Sequence, residues 1–156
     1  MVPCHGTYLI VQLDAVRMVE PLQDPVLLAA ARVLPSQKYV AHVLEIDELP
    51  MPFKRDHKCQ LVLVGKGLCQ EDEDCCIDST MCIPISPATV HPLARKPLQP
   101  RPIFPFVDCY QCTFATPQVR IPNRPYDHRH AVSLAAHDAV LQDIYITEDA
   151  HRRRSL

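Results

Sequence analysis

Apolar and β-branched positions recur with strand spacing through the first half of the chain. Thr7-Tyr8-Leu9-Ile10-Val11-Gln12-Leu13 is rich in β-formers, is bounded by Gly6 and Asp14, and reads as a strand that bends on through Val16, Met18 and Val19. Asp24-Pro25 is a helix entry, because the carboxylate can cap free N–H groups and Pro fits the first helical position. Val26 to Leu34 then carries three consecutive Ala before Pro35, which predicts a short helix, apolar nearly all round and hence buried. Tyr39 to Ile46 reads as a second strand, broken by Leu49-Pro50-Met51-Pro52. Lys58 to Val64 is the clearest strand, with an apolar run that suggests burial on both faces near its end. Gly65-Lys66-Gly67 reads as a turn, and Cys75 to Ile85 as a further strand with Ile77, Met81, Ile83 and Ile85 in phase.

The pattern changes near Pro84. Ten of the sixteen prolines lie between Pro84 and Pro125. Proline fixes φ and removes a donor, so this passage is expected to be extended rather than inside a sheet or helix. Lys96-Pro97-Leu98-Gln99-Pro100-Arg101-Pro102 contains a PxxP with basic neighbours, a pattern that aromatic grooves accept. Phe106, Tyr110 and Phe114 share one parity and suggest a strand over 104–114. Ala131 to Ile144 sets Val132, Ala136, Ala139, Val140 and Ile144 at helical spacing, which predicts a helix docking through an apolar stripe. Tyr145-Ile146-Thr147 is β-like, and His151 to Leu156 is a polar tail expected to be mobile.

The expected fold is α+β, mainly β: a small antiparallel sheet or partly open barrel. Its predicted parts are a β-rich core with one short helix over 1–86, a Pro-rich extended arm over 87–125 with the strand at 104–114, a C-terminal helix over 126–150 packing on the core, and a basic tail over 151–156.

Composition narrows the function classes. The 156 residues suffice for one compact domain with a real core, and 47% of them are apolar, which suits a globular chain. Sixteen Lys and Arg against eighteen Asp and Glu give a formal charge of −2, which excludes a strongly basic nucleic-acid coat. Only three glycines leave little material for a phosphate cradle. Gly65-Lys66-Gly67 follows a strand but lacks the P-loop spacing, with Leu68 where a hydroxyl is needed. Met1-Val2-Pro3-Cys4-His5-Gly6 has no basic leader, the following apolar run is short, and nowhere do about 18 apolar residues run uninterrupted. The expectation is an intracellular chain, cytoplasmic or nuclear, with reduced thiols and no membrane span.

The cysteines offer the sharpest chemistry. Cys109-Tyr110-Gln111-Cys112 is a C-x-x-C, and His128 and His130 follow; two thiolates and two imidazoles would satisfy tetrahedral zinc. Against this, residues three apart on a strand point to opposite faces. Cys69, Cys75, Cys76 and Cys82 bracket the acidic run Glu71-Asp72-Glu73-Asp74. Adjacent cysteines diverge, so all four are not expected on one ion. The acidic run lacks the alternating ligands of a calcium loop. His137-Asp138 suggests a base and its orienter, yet helix neighbours diverge by about 100°. No local signature joins any Cys to His42, His91 or His137 as a thiol catalyst.

These readings favour a non-catalytic protein-interaction subunit or adaptor, bound to a protein partner or to a second copy, with no required cofactor. Ile103, Phe104, Phe106, Val119 and Ile121 on the arm would be its partner-binding residues, since they expose apolar surface unless something covers them. The alternatives are a small zinc-stabilised module and an oligonucleotide-binding barrel. The latter would use the basic residues near Arg95, Lys96 and Arg101 and in the Arg152 to Arg154 tail.

Overall fold

A computed structural model describes residues 2–155. Six strands make one open antiparallel sheet, and with three helices the fold is α+β, mainly β. The strands are β1 (Tyr8–Gln12), β2 (Lys38–Ile46), β3 (Asp56–Lys66), β4 (Cys82–Ile85), β5 (Cys109–Cys112) and β6 (Gln118–Pro122). Their order is β1-β2-β3-β5-β4, and β6 pairs the first part of β3 while β5 pairs its end. Four steps along β3, from Gln60 to Val64, are matched by seven from Gln118 back to Gln111. The three surplus residues, in the stretch that ends at Pro117, split what would be one long strand into two.

The chain forms two compact units. One is Ile10–Tyr39. Here Asp14 accepts from the Arg17 N–H at 3.1 Å and starts α1 (Ala15–Val19), so Val16, Met18 and Val19 are helical rather than a bent strand. A 3₁₀ turn (Glu20–Leu22) follows. Asp24 then caps α2 (Pro25–Val33), accepting from the Val26 and Leu27 N–H groups at 2.8 and 3.2 Å. The helix forms where the sequence predicts it, but only its Ala31 is buried. Val26 and Val33 are 74% and 81% exposed, so the expected burial does not occur.

The other unit, Met1–Leu9 with Val40–Leu156, contains the sheet core and α3 (Ala136–Ser155). Val43, Leu61, Val62, Met81, Ile83, Ile85 and Leu98 are its largest fully buried apolar side chains. Only Cys82–Ile85 of the expected Cys75 to Ile85 strand is formed, because residues 72–77 close a turn through the Asp72–Ile77 bridge. Pro84 lies inside β4, which is tolerable at a sheet edge: on that edge the Pro84 carbonyl accepts from the Leu98 N–H at 2.9 Å.

The Pro-rich arm therefore packs on its own sheet. Leu98 is fully buried beside β4, and Phe104 joins Tyr8, Ile85 and Cys109 in one apolar cluster. The final helix begins later than its apolar periodicity predicts and runs through Tyr145-Ile146-Thr147 to Ser155. Val132 and Leu134 pack on the Tyr8 cluster instead, and Ser133 bridges Thr7 and Arg101. Arg152 to Arg154 form its last turn, where cations oppose the negative end of the helix dipole. Met1 and Leu156, which the core and tail readings included, lie outside the described residues. No helix among those residues is long and apolar enough to cross a membrane.

Candidate functional site

Two polar constructions occupy the sheet unit. The first is a layer beneath α3. Its docked side chains are Asp138, Gln142 and Asp149, all buried, with Tyr145 half-buried between them. That spacing is helical but polar. The expected apolar stripe has Val140 and Ile144 facing solvent, 59% and 48% exposed.

The reason is what faces the helix. Arg95 on the arm is buried and meets Asp149 in a bidentate pair at 2.8 and 2.5 Å, while Thr113 donates to the same carboxylate at 2.7 Å. The Arg95 guanidinium also lies 4.8 Å over the Tyr145 ring. The Lys96 N–H donates to the Tyr145 hydroxyl at 2.9 Å, and the Gln99 N–H to Asp138 Oδ1 at 3.1 Å. Deeper in, Gln142 donates to Gln111 Oε1 at 2.7 Å, and Gln111 donates to the Tyr8 hydroxyl at 2.8 Å. Gln142 Nε2 also lies 3.3 Å from Nδ1 of fully buried His42. Burial, helped by the neighbouring His5 charge, lowers the His42 pKa to about 3, so the ring is neutral. His137 Nε2 stands 3.0 Å from Asp138 Oδ2, contrary to the expected divergence.

The second construction is a group of thiols. Cys82 opens β4 and Cys112 closes β5, and the two are directly opposed in the ladder, so they share a face. Cys69, from the turn after β3, packs beside Cys82 with its thiol donating to the Met81 carbonyl at 3.5 Å, and it interacts with both other thiols. Amide N–H groups support the cluster, that of Gly65 on Cys112 and that of Cys69 on Cys82. His91 on the arm places Nε2 3.8 Å from the Cys82 Sγ and 3.1 Å from the Thr80 carbonyl, while Nδ1 accepts from the Leu93 N–H at 3.2 Å. The Tyr110 hydroxyl donates to the Val90 carbonyl at 2.6 Å and steadies the same loop.

Cys69 interacts with both other thiols, so the three titrate together. The bonds to Cys112 and Cys82, with burial added, push the Cys69 thiol far above the usual range. Those same bonds from Cys69 lower Cys82 and Cys112. Burial lowers the His91 imidazole and keeps it neutral. All eight cysteines are free thiols.

The zinc set expected at Cys109, Cys112, His128 and His130 is not assembled. Strand alternation turns Cys109 into the Tyr8 and Phe104 cluster, opposite to Cys112. His128 stacks edge-on to Tyr126 at 5.0 Å, and exposed His130 pairs with Asp127 at 3.2 Å. Of the second cysteine group, Cys69 and Cys82 converge while Cys75 and Cys76 do not: Cys75 is exposed in the 72–77 turn and its N–H donates to Asp72. Among the described residues, no group of three or more Cys, His, Asp or Glu stands ready-made as a metal-ligating set.

The expected partner-binding residues divide. Phe104 is core and cannot meet a partner, and Phe106 packs edge-on against it at 5.6 Å. Val119 and Ile121 are half-buried on β6, opposite Cys59 and His57 of β3, which leaves Ile103, 81% exposed, and Phe106, 41% exposed, as the projecting residues. The basic tail is tied down. Arg152 bonds Asp78 at 2.7 Å and Thr80 at 2.9 Å, and Arg153 bonds the Cys75 carbonyl at 2.8 Å.

Sequence reasoning missed Cys112 with Cys69, and His91 with Cys82. The signal for the first is the β4/β5 register, which is nonlocal. No family model, curated protein or solved structure matches the chain.

Proposed function

We propose that this chain is a non-catalytic protein-interaction subunit that acts inside the cell by binding another protein. What supports the reading is the surface of the Ile10–Tyr39 unit. Met18, Leu22, Val26, Leu27, Val33 and Leu34 are all between 43% and 81% exposed there. A nine-residue helix is marginal without tertiary packing, and α2 buries only one alanine. An apolar groove on a partner would supply the missing cover, taking α2 as a short helical anchor. This moves the binding surface from the Pro-rich arm to the helical unit, with Ile103 and Val107 as exposed apolar residues of the arm. Eight free thiols fit a reducing compartment.

The test is site-specific photo-crosslinking in cells, with the reactive group placed at Leu27, at Val33 and at the control position Glu148. A discrete adduct with one other protein at the first two positions, lost in Val26→Asp/Val33→Asp, is the expected result. An adduct with a second copy would make the interaction homotypic. Absence of any adduct, with a purified chain that sediments as a soluble monomer, would refute the reading.

A further inference from the structure

We propose that Cys69, Cys82, Cys112 and His91 form a binding site for one thiophilic divalent cation of the zinc type. The grounds are geometric. Two strand residues opposed in register and one turn residue packed against them bring three thiols together, with Cys69 interacting with each of the other two. The imidazole of His91 closes the fourth side, 3.8 Å from the Cys82 Sγ. Three sulfurs and one nitrogen are a donor set of structural zinc sites. Cys69 and Cys112 are half-buried, so the group has a way in from solvent, while Cys82 and His91 are buried behind them. The two amide N–H groups aimed at Cys82 and Cys112 are the outer contacts that orient and stabilise thiolate ligands.

As the chain stands, the Cys69 thiol donates to the Met81 carbonyl and the Cys82 thiol to the Ser79 carbonyl, both at 3.5 Å, and Nε2 of His91 bonds the Thr80 carbonyl. The set is therefore not ready-made. Binding exchanges three thiol protons for the cation and releases them to solvent. The ring stays neutral: its proton moves from Nε2 to Nδ1, and the bonds to Thr80 and to the Leu93 N–H are given up. No electron is transferred. The ligand order, C-x12-C-x8-H-x20-C, draws on the β3–β4 turn, β4, the arm and β5, so the cation would cross-link segments far apart in the chain.

The probe is cobalt(II) added to the fully reduced full-length chain, followed by zinc. One equivalent should give the intense visible bands of tetrahedral cobalt with thiolate charge transfer, and zinc should abolish them. Cys112→Ser and Cys69→Ser should lose the spectrum, whereas Cys109→Ser and Cys75→Ser should keep it. His91→Ala should weaken binding by more than the roughly 10- to 100-fold typical of an outer-shell partner. In the wild type, zinc should also shield Cys69, Cys82 and Cys112 from alkylation, mapped by mass, without shielding Cys4. That readout needs no variant to fold. A reduced, folded chain that shows neither the spectrum nor the protection overturns the proposal. So does a spectrum lost in Cys109→Ser but kept in Cys112→Ser.

Discussion

Replacing Asp149 by alanine removes the carboxylate that neutralises Arg95 where neither side chain reaches water. Arg95 is 5% exposed and Asp149 fully buried, and the pair is bidentate at 2.8 and 2.5 Å. Thr113 donates a third bond to the same group. Removing one partner of a buried pair strands the other charge, which costs about 3–5 kcal/mol, and the exposed Glu148 carboxylate, 3.6 Å from Arg95, offsets only a small part of that. Native stabilities are about 5–15 kcal/mol, so the variant loses a large share of the whole. For a chain of this size the melting midpoint should fall by roughly 10 °C, at about 2–4 °C per kcal/mol. Urea unfolding followed by circular dichroism supplies the number. Replacing the whole pair, Arg95→Met with Asp149→Leu, should recover most of the loss, because an apolar pair of similar volume needs no neutralisation. Arg120→Ala is the comparator. Its ion pairs with Glu48 and Asp56 are solvent-exposed, so its midpoint should stay near the wild-type value. A loss below about 1 kcal/mol for Asp149→Ala would show that water reaches the pair, and the polar-docking account of α3 would fail.

Other outcomes are equally open to measurement. His42 is neutral when folded, with its pKa lowered to about 3 from 6.5, so unfolding takes up a proton below 6.5. Its contribution is intact above pH 6.5 and falls by about 1.4 kcal/mol per unit as pH drops toward 3; His42→Gln should flatten that slope in urea titrations at successive pH values, and an unchanged slope would assign acid sensitivity elsewhere. Cys75 is exposed, but the Asp72 carboxylate raises its pKa, so Asp72→Asn should speed its alkylation by N-ethylmaleimide at neutral pH; an equal rate would contradict the contact. Ala94 holds φ at +51° on an exposed turn, a left-handed conformation that costs a side chain roughly 1–2 kcal/mol, so Ala94→Gly should stabilise the chain in thermal melts. A lower midpoint would mean that the glycine's backbone freedom outweighs the relief of strain.

Strands and caps were legible where the information is local. Richness in β-formers around Leu9 and Val43 and the apolar run from Leu61 marked β1 to β3, and Asp24-Pro25 marked the start of α2 to the residue. The last helix was misplaced because an apolar stripe was sought, whereas its docking face is Asp138, Gln142, Tyr145 and Asp149. The partners of that face, Arg95, Gln99, Gln111 and Thr113, lie far upstream, so only pairing across the fold could reveal it. The thiol cluster was half visible. Cys69 and Cys82 stood in one group by proximity, but Cys112 joins them through a register that no spacing encodes. The C-x-x-C did carry its own refutation, since alternation separates Cys109 from Cys112 before any tertiary contact is considered.

The polar face of α3 also sets an order of events. An arm with ten prolines in and beside it has few backbone donors to hold it, and its inner residues Arg95, Lys96 and Gln99 are secured by side chains 39 to 54 positions later. Those contacts cannot exist while only the first 135 residues have left the ribosome. Until then the backbone bonds of Leu98 with Pro84 and Ser86 cover the edge of β4 without the side-chain support of α3, and an edge that opens is a template for pairing with other chains. Docking of the last helix is thus the step that secures the cover over that edge.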